Sequence, residues 1–563
     1  MLIKRSVFSA MLGVAIAAAS GPDASLAGVL TVTAVEPAPR ILDAPVDAPI
    51  VIHFDKPVDK ASIVLGQSLG AFARWSGTVS GSITFSNDDK TVTLAPDRTF
   101  SAGEMVMVVL SHDVAATDGT TLRPAGYCFT FWTNARPAAL DFSLVQTLTT
   151  NGPGESSRPY GGFASDVNGD GFLDITTINE DTADMRVLLN KAEGDGTYDP
   201  FLEPSEPLAQ RASPSEPTDF NGDGIVDVCV ANIDDNSVSI LLGNGDGTFA
   251  PQQKITVGSA PRGIAVLDVD GDGDMDIVNT NSAGGGNLSL LINDGSGVFG
   301  APGFFNGGGT GEWALAVADM NEDGILDLVV GARSSTQILV HLGNGDGTFT
   351  HVETQSSGGA VWMLNCGDVN GDGHEDVATA NSSNNVGAIL LGDGTGQPGL
   401  PTTYPTDSFP LATDLGDIDG DGDLDWVTSS FGGDWRLYVN DGAGNFTFDQ
   451  EFNAPSNASC ALMLDIDNDG DLDLALIDEI ADVVIIEKNS GTAPALGDVN
   501  DDCHIDLADH FGFVLCLTGP AVCAPDNCRV FDFNDDCDVD AADFARFATN
   551  FTGPEADIPG CLP

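Results

Sequence analysis

An Asp-rich nonapeptide starts at Asp166 and returns at Asp219, Asp268, Asp319, Asp368, Asp417 and Asp465, in steps of 53, 49, 51, 49, 49 and 48 residues. The copies read DVNGDGFLD, DFNGDGIVD, DVDGDGDMD, DMNEDGILD, DVNGDGHED, DIDGDGDLD and DIDNDGDLD. Positions 1, 3, 5 and 9 always carry a side-chain oxygen, and position 6 is always Gly. A hard cation such as calcium needs six to eight oxygens at about 2.3–2.6 Å. A loop turning at Gly can aim alternate side chains inward while position 7 adds its backbone carbonyl. An Asp-Gly hairpin turn needs only its two turn residues, so four ligand positions kept through seven copies argue for metal. The candidate ligands are Asp166, Asn168, Asp170 and Asp174; Asp219, Asn221, Asp223 and Asp227; Asp268, Asp270, Asp272 and Asp276; Asp319, Asn321, Asp323 and Asp327; Asp368, Asn370, Asp372 and Asp376; Asp417, Asp419, Asp421 and Asp425; and Asp465, Asp467, Asp469 and Asp473. Seven Ca2+ ions are expected here, with the apolar residues at positions 2 and 8 anchoring each loop.

Two further loops, DVNDDCHIDLAD and DFNDDCDVDAAD, place ligand types at positions 1, 3, 5, 9 and 12, the spacing of an EF-hand. Their candidate ligands are Asp498, Asn500, Asp502, Asp506 and Asp509, then Asp532, Asn534, Asp536, Asp540 and Asp543. Up to two more calcium ions are expected. Position 6 is Cys503 or Cys537 instead of Gly, which strains a turn that favours positive φ. Helical patterns leave both loops, over 507–517 and 541–551, and none precedes them.

Catalytic patterns are thin. Gly66-Gln67-Ser68-Leu69-Gly70 matches the nucleophile elbow G-x-S-x-G but lacks the strand before it and the helix after it, so Ser68 reads as a loop residue. The seven histidines form no HExxH spacing. The Gly-rich turns, such as GNGDGTF at 243–249, precede strands instead of opening helices, and their Asp would repel phosphate. A non-catalytic protein is expected. An extracellular glycan lyase or hydrolase, its acid pair hidden among 84 acidic residues, is the alternative. A structural spacer of a surface layer is a third.

The elements that must carry the loops follow from alternation. Each loop runs into a short strand, as in Asp227-Val228-Cys229-Val230-Ala231, then a second such as Val238-Ser239-Ile240-Leu241-Leu242, then a Gly-rich turn and an aromatic strand start. With the strand entering the loop, four short antiparallel strands form each repeat, which is the make-up of a propeller blade. The repeats resemble the FG-GAP and VCBS repeats of integrin-α-type propellers, so the resemblance implies a seven-bladed, calcium-binding β-propeller over 141–490. The seventh repeat stops after Val483-Val484-Ile485-Ile486, and the extra strand Phe142–Leu148 is placed to complete it.

Alternating segments between 28 and 136, among them Ile50-Val51-Ile52-His53-Phe54 and Phe129-Thr130-Phe131, predict a small antiparallel β-sandwich. With Phe54-Asp55-Lys56-Pro57-Val58 it resembles bacterial Ig-like domains of the SbsA type. Residues 496–561, a pair of loops with exiting helices, resemble a type I dockerin. That resemblance implies a small α-helical docking module and a cohesin-like protein as partner, with a calcium-stiffened cap lacking any partner as the alternative. The fold class expected is mainly β: sandwich, propeller, then helical module.

Lys4, Arg5 and the apolar run from Val7 to Ala19 read as a signal peptide over 1–27, and no later segment is apolar for long enough to span a bilayer. A secreted or cell-surface, bacterial protein is expected, not an integral membrane protein once the signal is removed. Six of ten cysteines crowd the C-terminal module, which predicts disulfides there, with Cys503–Cys537 suggested by their matching places. The scattered Cys128, Cys229, Cys366 and Cys460 read as buried small hydrophobes. Lys and Arg total 21 against 84 Asp and Glu, a net charge of -63, which repels nucleic acid. With 42% hydrophobic residues, 29 Phe and 67 Gly the chain is folded and turn-rich, not an acidic tail.

In a four-stranded meander the loops and Gly-rich turns share one face and leave the other free. Six residues before each first Asp stand Tyr160, Ser213, Arg262, Trp313, Trp362, Leu411 and Ser459, expected to ring a central channel on the free face. Nearby loops supply Asn232, Asn281, Arg333, Asn381 and Trp435. Tyr160, Arg262, Trp313, Trp362 and Trp435 are the candidate contacts for a carbohydrate or surface protein ligand, since indole faces stack on sugar rings. The competing role for Trp313 and Trp362 is filler between blades. The function expected is a secreted, multi-calcium binding or adhesion protein.

Overall fold

The computed structural model describes residues 28–489, apart from 87, 285 and 286, together with 539 and 544. The expected signal peptide 1–27 and, those two positions aside, the expected dockerin-like module 496–561, with the calcium ligands, helices and disulfides expected there, lie outside the described residues.

The N-terminal domain is built by period-two alternation. In Ile50–Phe54 the side chains of Ile50, Ile52 and Phe54 are buried while Val51 and His53 are not, so one face must find cover. One sheet orders the strands Val32–Glu36, Ile50–Phe54, Thr91–Pro96 and Gly81–Phe85; the other orders Gly77–Thr78, Leu69–Ala73, Met105–Leu110 and Tyr127–Trp132. Leu94, Val106, Val108 and Phe131 join the isoleucines in a common core. Ser68 sits in the turn that enters Leu69–Ala73. Its hydroxyl donates to the Ser62 carbonyl and accepts from the Val64 N–H, so the G-x-S-x-G match has a structural role.

From residue 142 to 489 the chain forms seven four-stranded antiparallel sheets. The second strand of most repeats, for example Asp227–Asn232 and Asp376–Asn381, is buried along its whole length. That is why Val228-Cys229-Val230-Ala231 is apolar without alternation: both faces of the sheet are covered by neighbouring sheets. The first strands touch in cyclic order, Pro159–Ser165 to Ala212–Thr218 and onward to Ala458–Leu464, which returns to Pro159–Ser165. The seventh sheet takes its outer strand from Phe142–Thr149, with Val484 opposite Leu148 and Ile486 opposite Gln146, as the sequence predicts. Closure is repeated in side chains. Asn293 donates to the Phe220 carbonyl of the preceding repeat and Asn440 to that of Val369; Asn190 of the first repeat likewise donates to Ile466 of the last, each at 2.7 Å. The arrangement fits a β-propeller.

Cys128, Cys229, Cys366 and Cys460 are free and buried, and burial pushes the Cys460 thiol up to about 12. Among the described residues no helix is long and apolar enough to cross a membrane.

Candidate metal centres

The seven Asp-rich loops, numbered 1 to 7 in chain order, share one hydrogen-bond scheme. The Gly at position 6 takes positive φ throughout, from 75° at Gly324 to 96° at Gly273, and its N–H donates to Oδ2 of the position-1 Asp at 2.7–3.1 Å. The left-handed turn that only Gly adopts cheaply therefore folds the first carboxylate back over the loop.

Position 9 is tied more firmly. In loop 3, Asp276 accepts from Val269 N–H at 3.1 Å with one oxygen and from Asn293 N–H at 2.8 Å with the other. Asp174, Asp227, Asp327, Asp376, Asp425 and Asp473 repeat both bonds, to the position-2 amide and to an amide at the end of the third strand. This residue thus pins the loop to the sheet, and in loops 3, 6 and 7 one of its oxygens also lies within 4.8 Å of the carboxylates at positions 1 and 3. Spacing alone had presented it only as a ligand.

Position 3 divides the loops. In loops 1, 2, 4 and 5 the Asn168, Asn221, Asn321 and Asn370 amides donate to the position-5 carboxylate at 3.0–3.1 Å. Loops 3, 6 and 7 have Asp270, Asp419 and Asp467 there and lack that donor. Carboxylate oxygens of Asp268, Asp270 and Asp276 lie within 4.8 Å of one another, as do those of Asp417, Asp419 and Asp425, and those of Asp465, Asp467 and Asp473. Asp270, Asp417, Asp465 and Asp467 each leave an Oδ1 buried without a hydrogen-bond partner. Such oxygens cost free energy unless a cation or proton satisfies them, so these three donor sets fit a hard divalent ion.

Electrostatics agree with that geometry. Burial drives Asp276 and Asp425 up to about 9, with neighbouring carboxylates adding to the push and the two backbone donors opposing it. Asp268 rises to about 7 and Asp417 to about 8 for the same first reason. The same three loops also carry Asp at position 7, a signal present in the sequence but absent from the ligand list. Burial and then adjacent carboxylates push Asp274 to about 6, Asp423 to about 7, and Asp471 upward. Loop 7 has an internal cation besides: the Lys488 ammonium pairs with Asp467 and, at 2.9 Å, with Asp469. Position 8 of loop 5 departs from the apolar rule with buried Glu375, raised to about 8 by burial. His374 at position 7 pairs its side chain with Glu322 of loop 4.

An FG-GAP-like repeat family matches residues 219–279, 268–330, 368–428 and 424–476, and the FG-GAP repeat family matches 313–352. The chain carries FG-GAP repeats. Residues 28–133 match a bacterial Ig-like domain. No curated protein matches the chain. Similar solved structures include BBS1N in complex with ARL6DN, 13% identical, covering 64% of this chain and 98% of that one with a TM-score of 0.44. Another is an Agrocybe aegerita lectin that recognises non-reducing terminal N-acetylglucosamine, 17% identical, covering 71% and 94% at 0.39. A functionally unknown protein from Desulfotomaculum acetoxidans is 13% identical, covering 55% and 92% at 0.35.

The Ig-like domain lies across the FG-GAP loops. Arg98 Nη1 meets Asp166 Oδ2 of loop 1 at 2.5 Å; Thr78 reaches Asp219 of loop 2 at 3.1 Å; His112 N–H donates to Gly271 of loop 3 at 2.7 Å. Arg123 donates to the Asp323 carbonyl of loop 4, Arg40 to Gly373 of loop 5 and Arg136 to Asp469 of loop 7, each at 2.6 Å. Ala138 N–H, just beyond the domain, donates to Asp419 of loop 6. Arg74 enters the ring and pairs with Asp414 at 2.9 Å, while half-buried Glu216 nearby is raised to about 7 by desolvation. The N-terminal segment therefore touches all seven loops, while the position-5 carboxylates Asp170, Asp223, Asp323, Asp372 and Asp421 stay exposed.

At the opposite end each first strand of the FG-GAP region opens with a β-bulge. The residue left out of register is Tyr160, Trp313, Trp362, Leu411 or Ser459 in five repeats, falls at Arg262 and Gly263 in the third, and is Pro214 instead of Ser213 in the second. A bulge re-aims a side chain, which brings Trp362 of the fifth repeat to donate to the Tyr160 hydroxyl of the first, across the ring. The Trp313 and Trp362 ring centres lie 4.6 Å apart with their planes tilted by 48°, and both stay half-buried. Trp435 is not on this face. It is fully buried in the core with its Nε1–H donating to the Cys460 carbonyl, because stacked neighbouring sheets cover its strand. Asn232, Asn281 and Asn381 are likewise buried, their amides bonded to Ser239, Ser289 and the Ser357 carbonyl.

Proposed function

We propose that this chain is a secreted, non-catalytic binding protein whose seven FG-GAP repeats form a seven-bladed, calcium-dependent propeller. The cations are held by positions 1, 3, 5 and 9 of each loop, and binding takes place at the face the Ig-like domain leaves open. The observation that carries this reading is the division of the ring. The chain between Arg40 and Ala138 touches every one of the seven loops, whereas the bulged ends converge Tyr160, Arg262, Trp313 and Trp362 at the far mouth. Calcium would neutralise the loop carboxylates, and the chain's part is to orient them through the position-6 Gly and position-9 Asp bonds. The C-terminal loops add up to two calcium sites in a dockerin-like docking tag for a cohesin-like protein. An extracellular or cell-surface location follows from the signal-like segment. The test is binding of the full chain to a panel of glycans and cell-wall material, with calcium and with chelator, while product release is monitored. Calcium-dependent binding without cleavage is expected, whereas released oligosaccharide would make the protein an enzyme.

A further inference from the structure

The six arginines between 141 and 490 fall into two groups. Arg158, Arg186, Arg211 and Arg436 each lie within 4 Å of a carboxylate, at Glu479, Asp184, Glu180 and Asp407. Arg262 and Arg333 have no such partner among the described residues. They pack on indoles instead: Arg262 lies 4.0 Å from the Trp313 ring centre, and Arg333 lies 4.7 Å from those of both Trp313 and Trp362. In a chain with 84 acidic residues against 21 Lys and Arg, two guanidinium groups at one mouth with no carboxylate within 4 Å among the described residues are unusual. Arg262 is only 8% exposed, and its Nε–H has no hydrogen-bond acceptor. A buried charged donor left unpaired is costly, and the indole faces replace only part of its lost hydration.

The geometry points to a site for an anionic sugar at this mouth, in which Arg262 and Arg333 clasp a carboxylate or sulfate carried on a pyranose ring that lies against Trp313 and Trp362. This rests on the face being the ligand face. A guanidinium fork matches a planar carboxylate or a sulfate edge with two donors. The tryptophans are half-buried, so part of each indole remains open to meet the apolar side of a sugar ring, and an acidic peptide has no such ring to match it. Burial holds Arg262 below the usual guanidinium range, with Arg211 and Arg333 adding to the push and Tyr160 and Glu180 opposing it, and an incoming anion would reverse that direction.

The experiment titrates the full chain, in calcium, with four probes: a galacturonic acid tetramer, its carboxyl-reduced neutral counterpart, a sulfated form of that neutral tetramer, and poly-glutamate. The uronate or the sulfated tetramer should bind at least tenfold more tightly than the neutral one, and which of the two does so identifies the anion. Arg262→Gln and Arg333→Gln should each weaken that binding about tenfold, the loss of a charge-assisted hydrogen bond. Arg262→Lys should fall in between, and added salt should weaken binding. Melting curves check each variant, and the more exposed Arg333 serves if Arg262→Gln destabilises the fold. Equal binding of the neutral tetramer, lost in Trp362→Ala, would overturn the anionic site yet leave the ligand face standing. Poly-glutamate binding as tightly would overturn the sugar assignment. Binding indifferent to all these substitutions, or none of any probe at millimolar concentration, would overturn both.

Discussion

Where loop 2 has Asn221 at position 3, loop 3 has Asp270, and the two loops otherwise fold alike. Asn221 gives its amide to Asp223 at 3.0 Å, so the cluster of loop 2 is partly neutralised from within. Loop 3 has five aspartates at its odd positions, an orphaned oxygen on Asp270 and carboxyls driven upward at Asp268, Asp274 and Asp276. Loop 6 repeats the pattern, and loop 7 softens it with Lys488. Burial lifts position 9 in both kinds of loop, Asp227 of loop 2 to about 7 as well as Asp276, so the difference between them lies in the internal amide donor and in the number of carboxylates. On the proposed reading, the acid-rich loops would trade metal-free stability for charge with which to hold an ion.

The largest effect expected is from stripping the cation. Calcium held only by the folded loops, as proposed, would add stability at each occupied site by mass action. Several sites together should separate the melting temperatures in millimolar calcium and in chelator by roughly 10 °C or more. In chelator the pH dependence has a definite sign. The folded carboxyls of Asp276 and Asp425 sit at about 9 and that of Asp417 at about 8, above the usual carboxylate value near 3.9. Their protonated forms are therefore favoured in the fold, and that contribution is lost as pH rises from about 4 toward 9. The melting temperature in chelator should fall between pH 5 and pH 9, and calcium should flatten or reverse the trend, since metal binds the deprotonated form.

Next comes position 9. Asp227→Asn in loop 2 places an amide donor against one of two backbone N–H groups and should cost about 3 kcal/mol, in calcium and in chelator alike. A loss seen only in calcium would make this residue a ligand and nothing more.

Exchange at position 3 is smaller and tests the comparison itself. Asp270→Asn should raise the metal-free melting temperature while weakening calcium about tenfold at that loop, and Asn221→Asp should do the reverse, ligand charge being what tunes affinity. Changes in the same direction would dissolve the distinction between the loops. Smallest is Lys488→Met, which removes the internal cation of loop 7 and should strengthen calcium there a few-fold, measurable by calcium titration against the unaltered chain.

Much of this could be read before the fold. The near-constant step between aspartates, the Gly at position 6 and the strand patterns placed seven four-stranded sheets, and the surplus strand at Phe142 marked where the ring closes. Counting back from each Asp found six of the seven bulge sites, missing the second repeat by one residue because Pro214 takes the bulge there. The second role of position 9 was hidden, since the amide that Asp276 accepts from, Asn293, is brought beside it only by the sheet. Trp435 and Trp362 look alike in sequence; only sheet stacking decides that one is core and the other half-buried. The landing of Arg98 on Asp166 left no trace either, because docking between domains follows no local period.

The central claim, that the loops are cation sites built from desolvated carboxylates, is met most directly by calorimetric titration of the chelator-stripped full chain with calcium at pH 7 in two buffers of different ionisation enthalpy. Saturable binding of several ions per chain, with protons released as the raised carboxyls give way to metal, is the result expected. Heats no larger than dilution, or binding with no proton release in a chain that melts identically with and without calcium, would contradict it.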